Sequence, residues 1–141
     1  MNRLYFACLV TLSILFIQTS ESRLIAQEVS VQSLPPVVVS TVPTAGDENV
    51  DASLTEIKVS FSKPMRDQTW SWGKLTDGSF PEIDKSKPLR YDADKKTAIL
   101  PVRLEKNKTY AIWVNTSNLQ NFRDDTGLPA VPYLLVFKTG S

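Results

Sequence analysis

Ile57-Lys58-Val59-Ser60-Phe61-Ser62 alternates apolar and polar residues without a break, and Pro64 closes the run. Side chains two apart on a strand share a face, so Ile57, Val59 and Phe61 bury one side while Lys58, Ser60 and Ser62 stay wet. Working outward, the same period recurs in short pieces separated by Gly, Pro, Asn and Asp clusters. Upstream, Val37, Val38 and Val39 make a first strand, and Pro43 to Asn49, with Gly46 and Asp47, make a loop. Downstream come Thr69 to Leu75, a turn at Asp77-Gly78, and a lysine- and proline-rich Phe80 to Leu89 that reads as an irregular edge. Asp92 to Lys96 is a polar turn. Ala98, Leu100, Val102 and Leu104 alternate next; Glu105 to Lys108 turn the chain into Tyr110, Ile112 and Val114. After a long loop, Asn118 to Pro129, the last strand runs from Val131 to Lys138. No 3.6-residue period of any length appears, and seven or so short strands in one domain predict an all-β antiparallel sandwich.

Composition excludes more than it assigns. The chain of 141 residues carries 16 basic and 15 acidic side chains, a net charge of +1, so no nucleic-acid partner is implied. It has no histidine and one cysteine, Cys8, which removes the usual zinc sites, histidine-based nucleophile systems and any disulfide within the chain. No cofactor and no metal are expected. The carboxylates of Asp47, Glu48 and Asp51, of Asp92 and Asp94, and of Asp124 and Asp125 lack the alternating ligand pattern of a calcium loop and read as solvated turn residues. Nothing suggests an acid with a raised pKa in an apolar cleft, so the chain is read as not an enzyme.

The amino terminus looks like a targeting segment. Arg3 precedes Leu4 to Ile17, whose only polar members are Tyr5, Thr11 and Ser13, and small polar residues follow. As a helix that run is roughly 21 Å long, short of the ~30 Å hydrocarbon core. We expect a signal peptide over residues 1–22, cut after Ser22 or nearer Ala26 and Gln27. An uncleaved anchor is the rival reading. A linker, 23–34, and one domain, 35–141, follow; after cleavage no membrane span and no cysteine would remain, and the chain would be secreted or periplasmic at the cell envelope. Pro35-Pro36 marks the start of the folded part.

Three blocks carry a family resemblance. Pro35-Pro36-Val37-Val38-Val39-Ser40-Thr41-Val42-Pro43 leads to Gly46 and Asn49-Val50; Ile57 to Phe61 runs into Ser62-Lys63-Pro64-Met65; Leu104 to Tyr110 precedes Asp125-Thr126-Gly127 and the closing Val136-Phe137-Lys138-Thr139. Together they resemble the bacterial immunoglobulin-like domains of S-layer proteins, the SbsA type, over Pro35 to Thr139. The resemblance implies an Ig-like β-sandwich and an extracellular structural, adhesive or binding module with no catalytic residue. Beside it, the spacing of Leu104 and Tyr110 suits a tyrosine corner, and Gly127 suits a positive φ. Where the family usually has Pro-Gly in the turn before that tyrosine, this chain has Lys106-Asn107; Asn tolerates the left-handed conformation.

Candidate contact residues follow from strand parity. Trp70 and Trp72 are two apart and share a face, either the core or solvent. Trp113 points away from the side claimed by Tyr110, Ile112 and Val114. In this topology the strands bearing Trp70, Trp113 and Leu134 share one sheet, so Trp113, Leu134 and Val136, joined by Trp70 and Trp72 if these face out, would form an exposed apolar patch. The expected function is a non-catalytic module for protein–protein interaction or scaffolding at the envelope. The alternative is a carbohydrate-binding module that stacks polysaccharide on surface tryptophans, with Asn115, Thr116 and Ser117 near Trp113 as polar neighbours.

Overall fold

The computed structural model describes residues 28–141, so the expected signal peptide and its cleavage sites lie outside the described residues. Eight strands follow in order: β1 (Val38–Val42), β2 (Glu56–Phe61), β3 (Trp72–Lys74), β4 (Glu82–Ile83), β5 (Arg90–Tyr91), β6 (Thr97–Arg103), β7 (Thr109–Val114) and β8 (Tyr133–Lys138). All the pairings between these strands are antiparallel. One sheet is ordered β1-β2-β6-β4, with β5 also beside β6, and the other β3-β7-β8. The predicted sandwich is what forms, with the irregular Phe80–Leu89 edge reduced to the two-residue β4. Among the described residues no helix is long and apolar enough to cross a membrane.

The quoted alternation in β2 buries Ile57, Val59 and Phe61, as expected. Its partner β6 departs from simple alternation: Ala98 to Val102 are all buried, including Ile99 and Pro101. β2 flanks β6 on one side and β4 and β5 on the other, and Pro101, which has no N–H, still accepts a hydrogen bond from Asp84 N at 3.1 Å.

Between the sheets the core has two storeys. Val50, Ile57, Leu100, Val102, Tyr110, Ile112, Leu135 and Phe137 fill one. Val59, Phe61, Met65, Tyr91, Ala98, Val114, Phe122 and Ala130 fill the other. The second storey lies at the pole where β2 ends and β8 begins; the first lies where β7 begins and β8 ends.

Local chemistry closes both poles. At the first-storey pole, Glu105 N donates to the Tyr110 hydroxyl at 2.8 Å, completing the predicted tyrosine corner, while Asn107 holds φ 55° in the turn below it. At the other pole, Gly127 has φ 91°, and the buried Asn115 amide donates to the carbonyls of Phe122 and Ala130 and accepts from Phe122 N, each at 3.0 Å. Asn115 spends its whole side chain there, which leaves it no role on the surface.

Asp124 corrects the reading of the loop acids. It is 2% exposed, and its Oδ2 lies 2.6 Å from Nζ of the equally buried Lys63. Its Oδ1 accepts from Thr126 N, Thr126 Oγ1 and Leu128 N. Burial opposes the charge, but Lys63, Thr126 and Leu128 outweigh it and hold the carboxyl below the usual carboxylate range. Lys63 also donates to the Gln32 carbonyl at 3.1 Å, which seats the residues before Pro35 on this pole. Asp47, Asp51 and Asp94 do what was expected of turn residues, each capping a backbone N–H two positions on at 2.8 Å.

Candidate functional site

The five candidate contact residues separate into two surfaces. β7 pairs with β3 and β8 so that Gly73, Trp113 and Leu134 form one row across the three-stranded sheet, and Ala111 with Val136 forms the next. These rows face away from the core, because the intervening Ile112, Val114, Leu135 and Phe137 are buried inside. Trp113 and Leu134 are half-buried, Val136 is 37% exposed, and Ala111, though of the same parity, is buried. A Cβ built on Gly73 would come 3.1 Å from Trp113 Cβ, so the missing side chain lets Trp113 lie close over β3. The result is a shallow face, apolar across two rows, with Lys138 and Thr109 in the row beyond.

Trp70 and Trp72 do share a side, and that side is the core. Trp72 is half-buried, packs on both storeys and meets the Phe122 ring edge-on, with centroids 5.0 Å apart at 90°. Trp70 packs on the second storey and tilts over Tyr91 at 6.3 Å. The Tyr91 hydroxyl donates to Thr69 O at 2.7 Å, fixing the chain just before Trp70; burial, aided by Asp67, pushes this phenol's pKa up. Neither tryptophan joins Trp113. Their outer edges instead line an open groove along β3, completed by Ser71, Lys74, Phe80, Ile83, Leu119 and Asn121. Lys74 is ion-paired with Asp77 at one end of it.

Parity reasoning therefore placed Trp113, Leu134 and Val136 together on one face and could not choose between faces for Trp70 and Trp72. It missed Phe80, Ile83 and Leu119, which lie in segments too irregular to have a parity. Among the described residues no cluster of three His, Cys, Asp or Glu side chains converges. The two surfaces offer apolar contact edged by hydroxyl, amide and ammonium groups.

No curated protein matches the chain. Two solved structures of the S-layer protein SbsC are similar, at 19% identity and TM-scores of 0.48 and 0.49; each alignment covers 77% of this chain and 14% of the SbsC chain. The matched region is thus a small fraction of those proteins. The model of the bacterial Ig-like domain matches residues 32–139, which takes in every strand, the tyrosine corner and the Lys63–Asp124 pole. The chain belongs to the bacterial Ig-like domain family.

Proposed function

We propose that this chain is an exported, non-catalytic module that works by surface complementarity, scaffolding or docking a protein partner at the bacterial cell envelope. The carrying observation is the outer face of β7 and β8, where Trp113, Leu134 and Val136 lie in two adjoining rows, beside the buried Ala111, without a charged side chain. Apolar rows at the centre with polar residues outside them are the composition of a protein interface rather than of a reaction centre. Envelope location rests on the targeting segment read in residues 1–22 and on the family, whose domains recur in extracellular bacterial proteins. A photo-crosslinking residue at Val136 should capture a discrete envelope protein in cells, and Trp113→Asp should abolish capture. Capture that persists unchanged in Trp113→Asp, or no capture at all, would sink this reading.

The β3 groove supports a second reading, binding of a polysaccharide. Trp70, Trp72 and Phe80 offer aromatic surface beside Ser71, Lys74 and Asn121, the mixture of aromatic and hydrogen-bonding groups a pyranose requires. Soluble oligosaccharides should then change the tryptophan emission of the wild type and leave a Trp70→Ala variant unaltered. Emission indifferent to every sugar tried would leave the groove to other uses.

A further inference from the structure

Two stretches of the chain read Asn-x-Ser/Thr, the acceptor pattern for a sugar linked to the asparagine side chain: Asn107-Lys108-Thr109 and Asn115-Thr116-Ser117. The structure separates them. Asn115 is fully buried, and its side-chain nitrogen already donates to the carbonyls of Phe122 and Ala130, each at 3.0 Å. A sugar on that nitrogen would break at least one of these bonds and would have to fit within the close-packed second storey of the core. Asn107 is the opposite case. It is exposed at the tip of the turn between β6 and β7, with φ 55°, and Thr109, two residues on, is exposed where β7 begins.

The backbone around this turn is tied down, while those two side chains are not. Beside it the Gly46–Val50 segment runs along β8: Gly46 N donates to Val136 O at 2.7 Å, Lys138 N to Asp47 O at 2.8 Å and Val50 N to Lys138 O at 3.0 Å. In the turn itself Asn107 N donates to Gly140 O at 2.9 Å, Lys108 N to Thr139 Oγ1 at 2.9 Å and Thr139 Oγ1 to Glu105 O at 2.6 Å. Lys108 Nζ pairs with Glu105 Oε1 at 2.6 Å. None of these bonds uses the Asn107 carboxamide or the Thr109 hydroxyl, so a substituent on Asn107 stands in water and costs the turn no hydrogen bond.

We propose that Asn107 is the acceptor for an N-linked glycan. The donor class is a sugar activated as its polyprenyl diphosphate, and a membrane-bound transferase makes the bond. Asn107 Nδ2 attacks the anomeric carbon: a C–N bond forms, the C–O bond to the diphosphate breaks, the diphosphate leaves with the electron pair, and Nδ2 gives up one proton. Thr109 supplies the hydroxyl that such a transferase reads, and Glu105, 73% exposed two residues before the acceptor, supplies a carboxylate for a charge-assisted contact. Because the turn's backbone is bonded on both sides, transfer fits the extended chain as it crosses the membrane, and the folded turn then holds the glycan in solvent. The site lies past the Thr109–Lys138 row, so the glycan is rooted at the rim of the Trp113 face rather than on it. The inference rests on the export part of the proposed function and on nothing else in it.

Mass spectrometry of the full chain expressed in its native bacterium, after the envelope is separated from the cytoplasm, tests this. The expected result is an envelope form whose chymotryptic peptide containing Asn107 is heavier than its sequence by whole monosaccharide units, with Asn115 bare. Asn107→Gln and Thr109→Val should each remove the added mass, and Thr109→Ser should keep it. Both positions are exposed, and an unaltered circular dichroism spectrum checks that the variants fold. Asn107 bare on chains recovered from the envelope, added mass that survives Asn107→Gln, or a glycan on Asn115 would each overturn the inference and leave the export reading in place. Chains confined to the cytoplasm would overturn both.

Discussion

Trp72 and Trp113 sit on adjacent strands one register step apart, since Trp72 faces Val114 and Gly73 faces Trp113, yet they do opposite work. Trp72 points inward, spans both storeys of the core and meets Phe122 edge-on. Trp113 points outward onto a row shared with Leu134 and lies close over the backbone of Gly73. An indole has enough apolar area to anchor a core or a partner, and strand parity alone decides which. One residue of register thus separates a group that holds the domain together from a group free to hold something else.

The largest test of that contrast is Trp72→Ala. Removing a side chain that joins both storeys should cost about 3–5 kcal/mol in urea unfolding, whereas a cost below about 1 kcal/mol would mean Trp72 is a surface residue after all. Next comes the support behind Phe122, the ring Trp72 packs on. Asp124→Ala leaves Lys63 buried and unpaired and should cost about 3 kcal/mol, with Trp72 emission shifting to the red. Acid should act on the same pair. Because Asp124 titrates lower in the folded state than in the unfolded one, its contribution is present above about pH 4 and fades as the pH falls through the folded value, so wild-type stability should drop more steeply in acid than that of Asp124→Ala. Smaller still, a double-mutant cycle on Trp72 and Phe122 should return a coupling of about 0.5–1.5 kcal/mol. Trp113→Ala should be the mildest, within about 1 kcal/mol of wild type in unfolding while removing the partner crosslink. Gly73→Ala sharpens the last point, because the added methyl must displace Trp113 by a few tenths of an ångström and so should alter its quenching by acrylamide with little change in stability.

Much of the architecture was legible because it rests on local rules. The alternation in Ile57 to Phe61, the turn at Asn107, the positive φ of Gly127 and the spacing that lets Tyr110 reach Glu105 are all settled within a few residues of chain. What stayed hidden depends on distant partners. Lys63 sits in a polar-looking Ser-Lys-Pro turn, and only Asp124, far along the chain, makes its burial tolerable. Asp124 looked like any loop acid for the same reason. Ile99 and Pro101 are buried although their parity is opposite to that of Ala98, Leu100 and Val102, which alternation in one strand cannot reveal. For the candidate surfaces, parity placed Trp113, Leu134 and Val136 correctly relative to one another. It set Trp70 and Trp72 on a common side but could not say that this side is the core, since β3 is only three residues long and its inward face is defined by Phe122 from another loop.

The segment Gly46–Val50 alongside β8 bears on mechanics. The chain enters at the pole where Lys63 holds Gln32 and leaves at the opposite one, past Gly140. Tension applied through both ends would drag Gly46–Val50 one way and the parallel stretch Val136–Gly140 the other. Four backbone hydrogen bonds, the three on Val136 and Lys138 plus Gly140 N to Val50 O at 2.9 Å, would be loaded side by side and would have to yield together. A zipper opened from one end breaks its bonds in turn at low force. A patch sheared along its length does not, so a pull applied along this axis would meet all four bonds at once.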